Sequence, residues 1–202
     1  MEVNRPMKHP EALLLPILML LDYYLTVCGA VLSEKKYRQH FRIEHYELNP
    51  VWQKTIAQKR WFNPRHLLLT IGLSGILIFL TETGFEPLTQ WLLGVLLVLY
   101  GMIIGRHLSN LLLFHYVCQK PETLTGAVTM SHTLVLSISL YQTIILLIPF
   151  ILLTLFSPSL FVVGGLTGLL LFMGVQRVWL WRANRRQPGE KSTRSNSAED
   201  GG

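Results

Sequence analysis

Residues 12–32 read ALLLPILMLLDYYLTVCGAVL, a run in which Asp22 is the single charge. An α-helix rises ~1.5 Å per residue, so about 20 apolar residues cross the ~30 Å of hydrocarbon in a bilayer. The run therefore predicts a span with a carboxylate near its centre. Its Leu, Ile and Val residues favour insertion by roughly 5 kcal/mol together, against about 3 kcal/mol opposed by the aspartate. Arg5 and Lys8 precede it as in a secretory signal, but Asp22, Tyr23 and Tyr24 interrupt the apolar run and no small-x-small cleavage site follows. The segment is expected to be a retained span.

Outward from that run the same pattern recurs at about 66–81, 88–110, 128–156 and 159–181, with apolar character continuing past Asn110 to Val117. Half of the 202 residues are hydrophobic and 15% are charged, against roughly 25% charged in soluble domains. The expectation is an all-α, polytopic membrane protein: a five-span helical bundle over residues 1–184, with no soluble domain to house chemistry. Residues 185–202, rich in Ser, Gly and mixed charge, are expected to form a disordered cytoplasmic tail.

Between the first two spans lies a charged insert, residues 34–65, in which eight Lys or Arg residues alternate with Tyr37, Phe41, Trp52, Trp61 and Phe62. Rings and basic side chains together suit the headgroup layer, so anionic lipid head groups at the cytoplasmic face are the expected partners. Asn49-Pro50 and Asn63-Pro64 each set a capping side chain before a proline suited to a first helical turn. The first predicts an interfacial amphipathic helix over 50–61, and the second the start of the second span.

Orientation follows from the basic residues. The first-to-second connection carries eight, the third-to-fourth one and the tail six from Arg177 onward, fifteen in all, against two at the N-terminus and none in the remaining turns. That asymmetry predicts the N-terminus outside and the C-terminus cytoplasmic. It also explains the net charge of +6 without nucleic acid, since the basic residues flank spans. Cys28 and Cys118 lie near predicted cytoplasmic ends and form no disulfide framework or CxxC metal motif.

Function has to be sought in polar groups placed where lipid is expected. Asp22 is the sharpest, because a carboxylate near mid-bilayer faces a partner or a wet cavity. Its role is that of base, proton carrier or ion site, or else a structural pair with Arg106. Arg106, His107 and Asn110 share a helix face at spacings of three and four. His132 stands near the inner end of the fourth span, so His107 and His132 are expected to approach the same interface. With Asp22 or Glu47 they would form a two-His, one-carboxylate set, but no tight ligand spacing such as HExxH is present and no metal site is assigned. The cofactor is unknown from sequence. Gly101 with Gly105, and Gly164 with Gly168, are small-xxx-small pairs suited to close packing within the bundle, a homo-oligomer or a membrane-protein partner.

Asp22 and Thr26 in the first span, followed by Glu47, Asn49 and Pro50, give a D-x-x-x-T and E-x-N-P pattern. The pattern resembles that of an uncharacterised family of small prokaryotic multi-pass membrane proteins. The resemblance implies no activity, but it favours a prokaryotic inner membrane and ties Asp22, Thr26, Glu47 and Asn49 to one site.

Three functional classes follow, of which the first is the leading expectation and the second its alternative. A non-catalytic accessory component would use Asp22 and Arg106 as a structural pair. An intramembrane hydrolase or transferase on a lipid-like substrate would bring Asp22, Glu47, Arg106, His107 and His132 around a cleft as candidate catalytic groups, with Asn49, Arg106 and Asn110 binding the head group. A small proton- or ion-coupled bundle is a third class, weakened by the lack of an internal repeat.

Overall fold

The computed structural model describes residues 9–43 and 47–186. In chain order its elements are α1 (Leu14–Leu32), β1 (Phe41–Ile43), α2 (Gln53–Ala57), α3 (Pro64–Thr83), α4 (Glu86–Gln119), β2 (Val128–Met130), α5 (His132–Phe156) and α6 (Leu160–Arg186). The five longer helices are each long and apolar enough to cross a membrane.

Local chemistry sets several of their ends. Asn63 accepts hydrogen bonds from the backbone N–H of Arg65 and His66, and Pro64 occupies the first turn of α3; both orphan donors there are thereby satisfied. Gly84, at φ 80°, closes α3 in the left-handed conformation, which glycine adopts without strain. Ser131 caps α5 by accepting from the Leu134 N–H.

Several expected boundaries are corrected. The fourth helix begins at His132 rather than 128, because residues 128–130 form β2, paired in parallel with β1 in the register Phe41↔Val128, Arg42↔Thr129 and Ile43↔Met130. The fold is thus not purely α-helical. The helix expected over 50–61 contracts to α2, since the Asn49 side chain accepts from the Val51 N–H in a turn instead of launching a helix. The third helix is 34 residues long, about 51 Å, so Arg106 to Asn110 lie inside it rather than at its end. The second, expected over 66–81, extends to 20 residues. Beyond Leu32, α1 continues in a π-helical turn, Ser33–Tyr37, which buries Tyr37 against Phe114, with Phe41 on the same ring at 4.4 Å. At the other end, α6 continues to Arg186, two residues into the expected tail, and residues 187–202 lie outside the described residues.

α4 is the hub, packing on α6, α1 and α3, while α5 packs along α6. The α4–α6 contact is made by backbone. A β-carbon on Gly164 would sit 2.0 Å from the Trp91 carbonyl oxygen, one on Gly94 2.0 Å from that of Phe161, and one on Gly168 2.8 Å from that of Val95. Glycine is required where main chains approach this closely. Gly101 and Gly105 serve no such contact, since a β-carbon on either meets open space.

The far end of α4 is tied to the start of the chain. His9 places Nδ1 2.7 Å from Glu11 and Nε2 2.7 Å from Glu86, an arrangement in which both ring nitrogens donate only when the imidazole is protonated. The two carboxylates accordingly raise the His9 pKa above its usual 6.5, the Glu86 hydrogen bond most. A raised folded-state pKa gives stabilisation that is complete below about pH 6.5 and lost as pH climbs through the raised value. Wild type is expected to lose thermal stability across that window, and His9→Gln to show a flatter pH profile in the same melting experiment.

Candidate functional site

Beneath α2 and the strands, segments of α1, α4, α5 and α6 and the first turns of α3 surround a cavity of ≈ 360 Å³. Asp22, Glu47, Asn49, Arg106, His107 and Asn110 all line it, with Thr26, Ser139 and Gln142. Asp22 and Thr26 of the first motif therefore meet Glu47 and Asn49 of the second, more than 20 positions later in sequence, at one place. Of the candidate site residues only His132, in the first turn of α5, does not line the cavity. The two-histidine ligand set is not assembled: among the described residues no group of three His, Cys, Asp or Glu is placed to hold a metal ion.

The centre of the site is Asp22 against His107, not against Arg106. His107 Nε2 lies 3.2 Å from Asp22 Oδ1 and 3.1 Å from Thr26 Oγ1. The Thr26 hydroxyl donates to the Asp22 backbone carbonyl at 2.8 Å, as expected for Thr one helical turn on. Thr26 thus spends its proton on the backbone while its oxygen accepts from the imidazole. That geometry argues against Thr26 as an activated nucleophile, which needs its hydroxyl proton directed at a base. Its role is to orient His107 and, through it, the carboxylate.

Arg106 leaves the other face of the same α4 turn and donates to the Ser139 hydroxyl on α5, with its guanidinium over the Phe172 ring. Ser139 also accepts from Gln176 Nε2 at 2.5 Å, and Thr143 donates to Gln176 Oε1 at 3.0 Å. Ser139, Thr143 and Gln176 are buried. This α4–α5–α6 network fixes the guanidinium without any carboxylate in ion-pair distance among the described residues. The expectation of a direct Asp22–Arg106 pair is corrected on this point: adjacent positions on one helix point in different directions, and His107 is the one that reaches α1.

Glu47 enters from the loop ahead of α2. One of its oxygens accepts from the Asn49 N–H at 2.7 Å, so the E-x-N segment folds back on itself. Burial raises the Glu47 pKa to about 6, opposed by that N–H and reinforced by the charge on Asp22. A folded value above the usual 4.5 means a contribution that favours the fold below about pH 4.5 and fades as pH rises through about 6. Because the residue is half-buried, the effect is on the order of 1 kcal/mol. Glu47→Gln is expected to raise the melting temperature at pH 7.5 and leave it nearly unchanged at pH 4.

The cap over the cavity is aromatic. Tyr23 donates to the Arg60 carbonyl at 2.6 Å and lies with its ring 4.6 Å from His66, which Trp52 meets edge-on at 5.8 Å. Ser139, Gln176 and His66 are site residues that sequence reasoning passed over. Gln176, a lone amide in the apolar run of α6, and the i,i+4 pair Ser139 and Thr143 carried the available signal. Comparison with protein-family models, with curated proteins and with solved structures found no match.

Proposed function

We propose that the protein is a multi-pass membrane protein whose cavity binds a lipid-like substrate and performs acid–base chemistry on its head, as an intramembrane hydrolase or transferase. What carries the reading is the gathering of two carboxylates, a histidine and an arginine from α1, α4 and the α2 loop onto one cavity between apolar helices. Charged groups in such a place are costly and are kept for function by default. In this reading Asp22, oriented by His107 and Thr26, is the base that takes a proton from water or an acceptor hydroxyl. Glu47, with its raised pKa, is the acid that returns one. Arg106 holds the negative charge of the head or of the transition state. Asn49 and Asn110 supply neutral hydrogen bonds.

The accessory reading keeps one observation in its favour, the vacant face at Gly101 and Gly105, which suits a second helix. The deciding experiment incubates wild-type protein, Asp22→Asn and Glu47→Gln in vesicles of total bacterial lipid extract and follows every lipid class by mass spectrometry. Conversion of one class by wild type, lost in Asp22→Asn, is the expected result. An unchanged lipid profile with folded wild-type protein would overturn the catalytic reading and leave the accessory one.

A further inference from the structure

The cavity carries its charged groups toward one end. Along α4 it runs from Asn110 to Leu99, about 16 Å of helix, and Leu99, Ile103 and Phe172 replace the charged groups toward the middle of the bundle. Its volume of ≈ 360 Å³ is far too small for a two-chain lipid, although sufficient for a head group and the first part of a chain. A lipid held there has to leave most of its chains outside, so the cavity has to open sideways.

The packing supplies such an opening. α5 is held by α6 and, through Ser139, by the Arg106 side chain; it makes no extended packing with α1 or α3 among the described residues. Leu69 on α3 and Ile138 on α5 both line the cavity, yet are 43% and 39% exposed. They belong to the inside and the outside at once, as residues at a mouth do. The charge inside is also asymmetric in its contacts. Asp22 has His107 against it and Glu47 has the Asn49 N–H, whereas among the described residues Arg106 touches a neutral hydroxyl and an aromatic ring. Asp22 and Glu47 act on Arg106 from across the cavity and not by direct contact, so its guanidinium keeps donors for the head of an anionic lipid.

We infer that the cavity takes the anionic head of a membrane lipid that enters sideways between α3 and α5, past Leu69 and Ile138, its head reaching Arg106 and its chains remaining in the bilayer. This rests on the proposed lipid-active site and names its substrate class and route. In a hydrolase or transferase so arranged, head-group chemistry proceeds without the lipid leaving the membrane.

The test places the full chain in phosphatidylcholine vesicles containing a phosphatidic acid with a diazirine on its acyl chain near the glycerol, irradiates, and maps labelled residues by mass spectrometry. Labelling is expected around Leu69 and Ile138. Arg106→Gln is expected to lower it about tenfold, the loss of one charge-assisted hydrogen bond. Ile138→Trp, or Leu69→Trp if the first variant is not monodisperse, is expected to lower it at least about fivefold by filling the mouth. Ile148→Trp, on the exposed part of α5 away from the cavity, leaves labelling unchanged. Uniform labelling of all outward faces, indifference to Arg106→Gln, or indifference to both mouth variants would each overturn the inference. Competition by millimolar inorganic phosphate would overturn it too, by showing that a free anion is the ligand. Wild type itself separates the two proposals: labelling around Leu69 and Ile138 with no lipid converted retains the lipid site and sinks the catalysis.

Discussion

Gly164→Ala is expected to cost about 3 kcal/mol or more of stability, at or beyond the upper end for an overpacked contact. The added methyl would overlap the Trp91 carbonyl at 2.0 Å, and neither atom belongs to a side chain that can rotate away. Gly94→Ala meets the same obstacle from the opposite helix at Phe161. Relief requires α4 and α6 to move apart along their whole crossing. That movement would loosen the Arg106–Ser139–Gln176 network and the cavity wall with it. Gly101→Ala provides the contrast: it faces open space and should be neutral or stabilising by up to about 1 kcal/mol, through helix propensity alone. Thermal unfolding in detergent, with size-exclusion profiles for each variant, distinguishes these outcomes. Similar melting temperatures for Gly164→Ala and Gly101→Ala would contradict the backbone contact.

Asp22→Ala and His107→Ala form the second expected large effect. Removing one member of this substantially buried hydrogen-bonded pair leaves the other without its partner, at a cost of about 1 to 3 kcal/mol; the two side chains here are 22% and 15% exposed. The double variant should recover part of the loss, with a coupling energy on the order of 1 kcal/mol or more. The same cycle between Asp22 and Arg106→Gln should show much weaker coupling, because the guanidinium is anchored on Ser139. Strong Asp22–Arg106 coupling with none to His107 would reverse the assignment. Both Asp22→Ala and Asp22→Asn remove the proposed base and are expected to abolish lipid conversion.

Helix number and approximate extent were legible because hydropathy is a local property, and because Asn63-Pro64 announces a helix start by itself. The β1–β2 pairing was not: Val128-Thr129-Met130 reads equally as the first turn of an apolar helix, and only its partner 87 residues earlier makes it a strand. Likewise Asn49 has the chemistry of a helix cap, but its carbonyl-bearing side chain is committed to a turn while Glu47 folds onto its N–H. For the site, residue types were informative and partners were not. Asp22, Arg106 and His107 stand out in apolar runs, yet whether position 106 or 107 faces α1 depends on the rotation of α4, which the weakly amphipathic sequence of that helix does not set. Gly101 with Gly105 and Gly164 with Gly168 are indistinguishable as spacings; tertiary packing alone separates the pair in use from the vacant one.

The pairing of β1 with β2 and the contact of His9 with Glu86 impose a parity rule on the proposed membrane arrangement. β1 and β2 touch, so an even number of crossings separates them: α3 and α4 both traverse the bilayer, or neither does. His9 and Glu86 touch as well, which binds α1 and α3 by the same arithmetic. Those three helices therefore share one fate, independently of where the lysines and arginines fall. Mislocalising α1 or α4 alone would tear open one of the two contacts, and mislocalising α3 alone would tear open both.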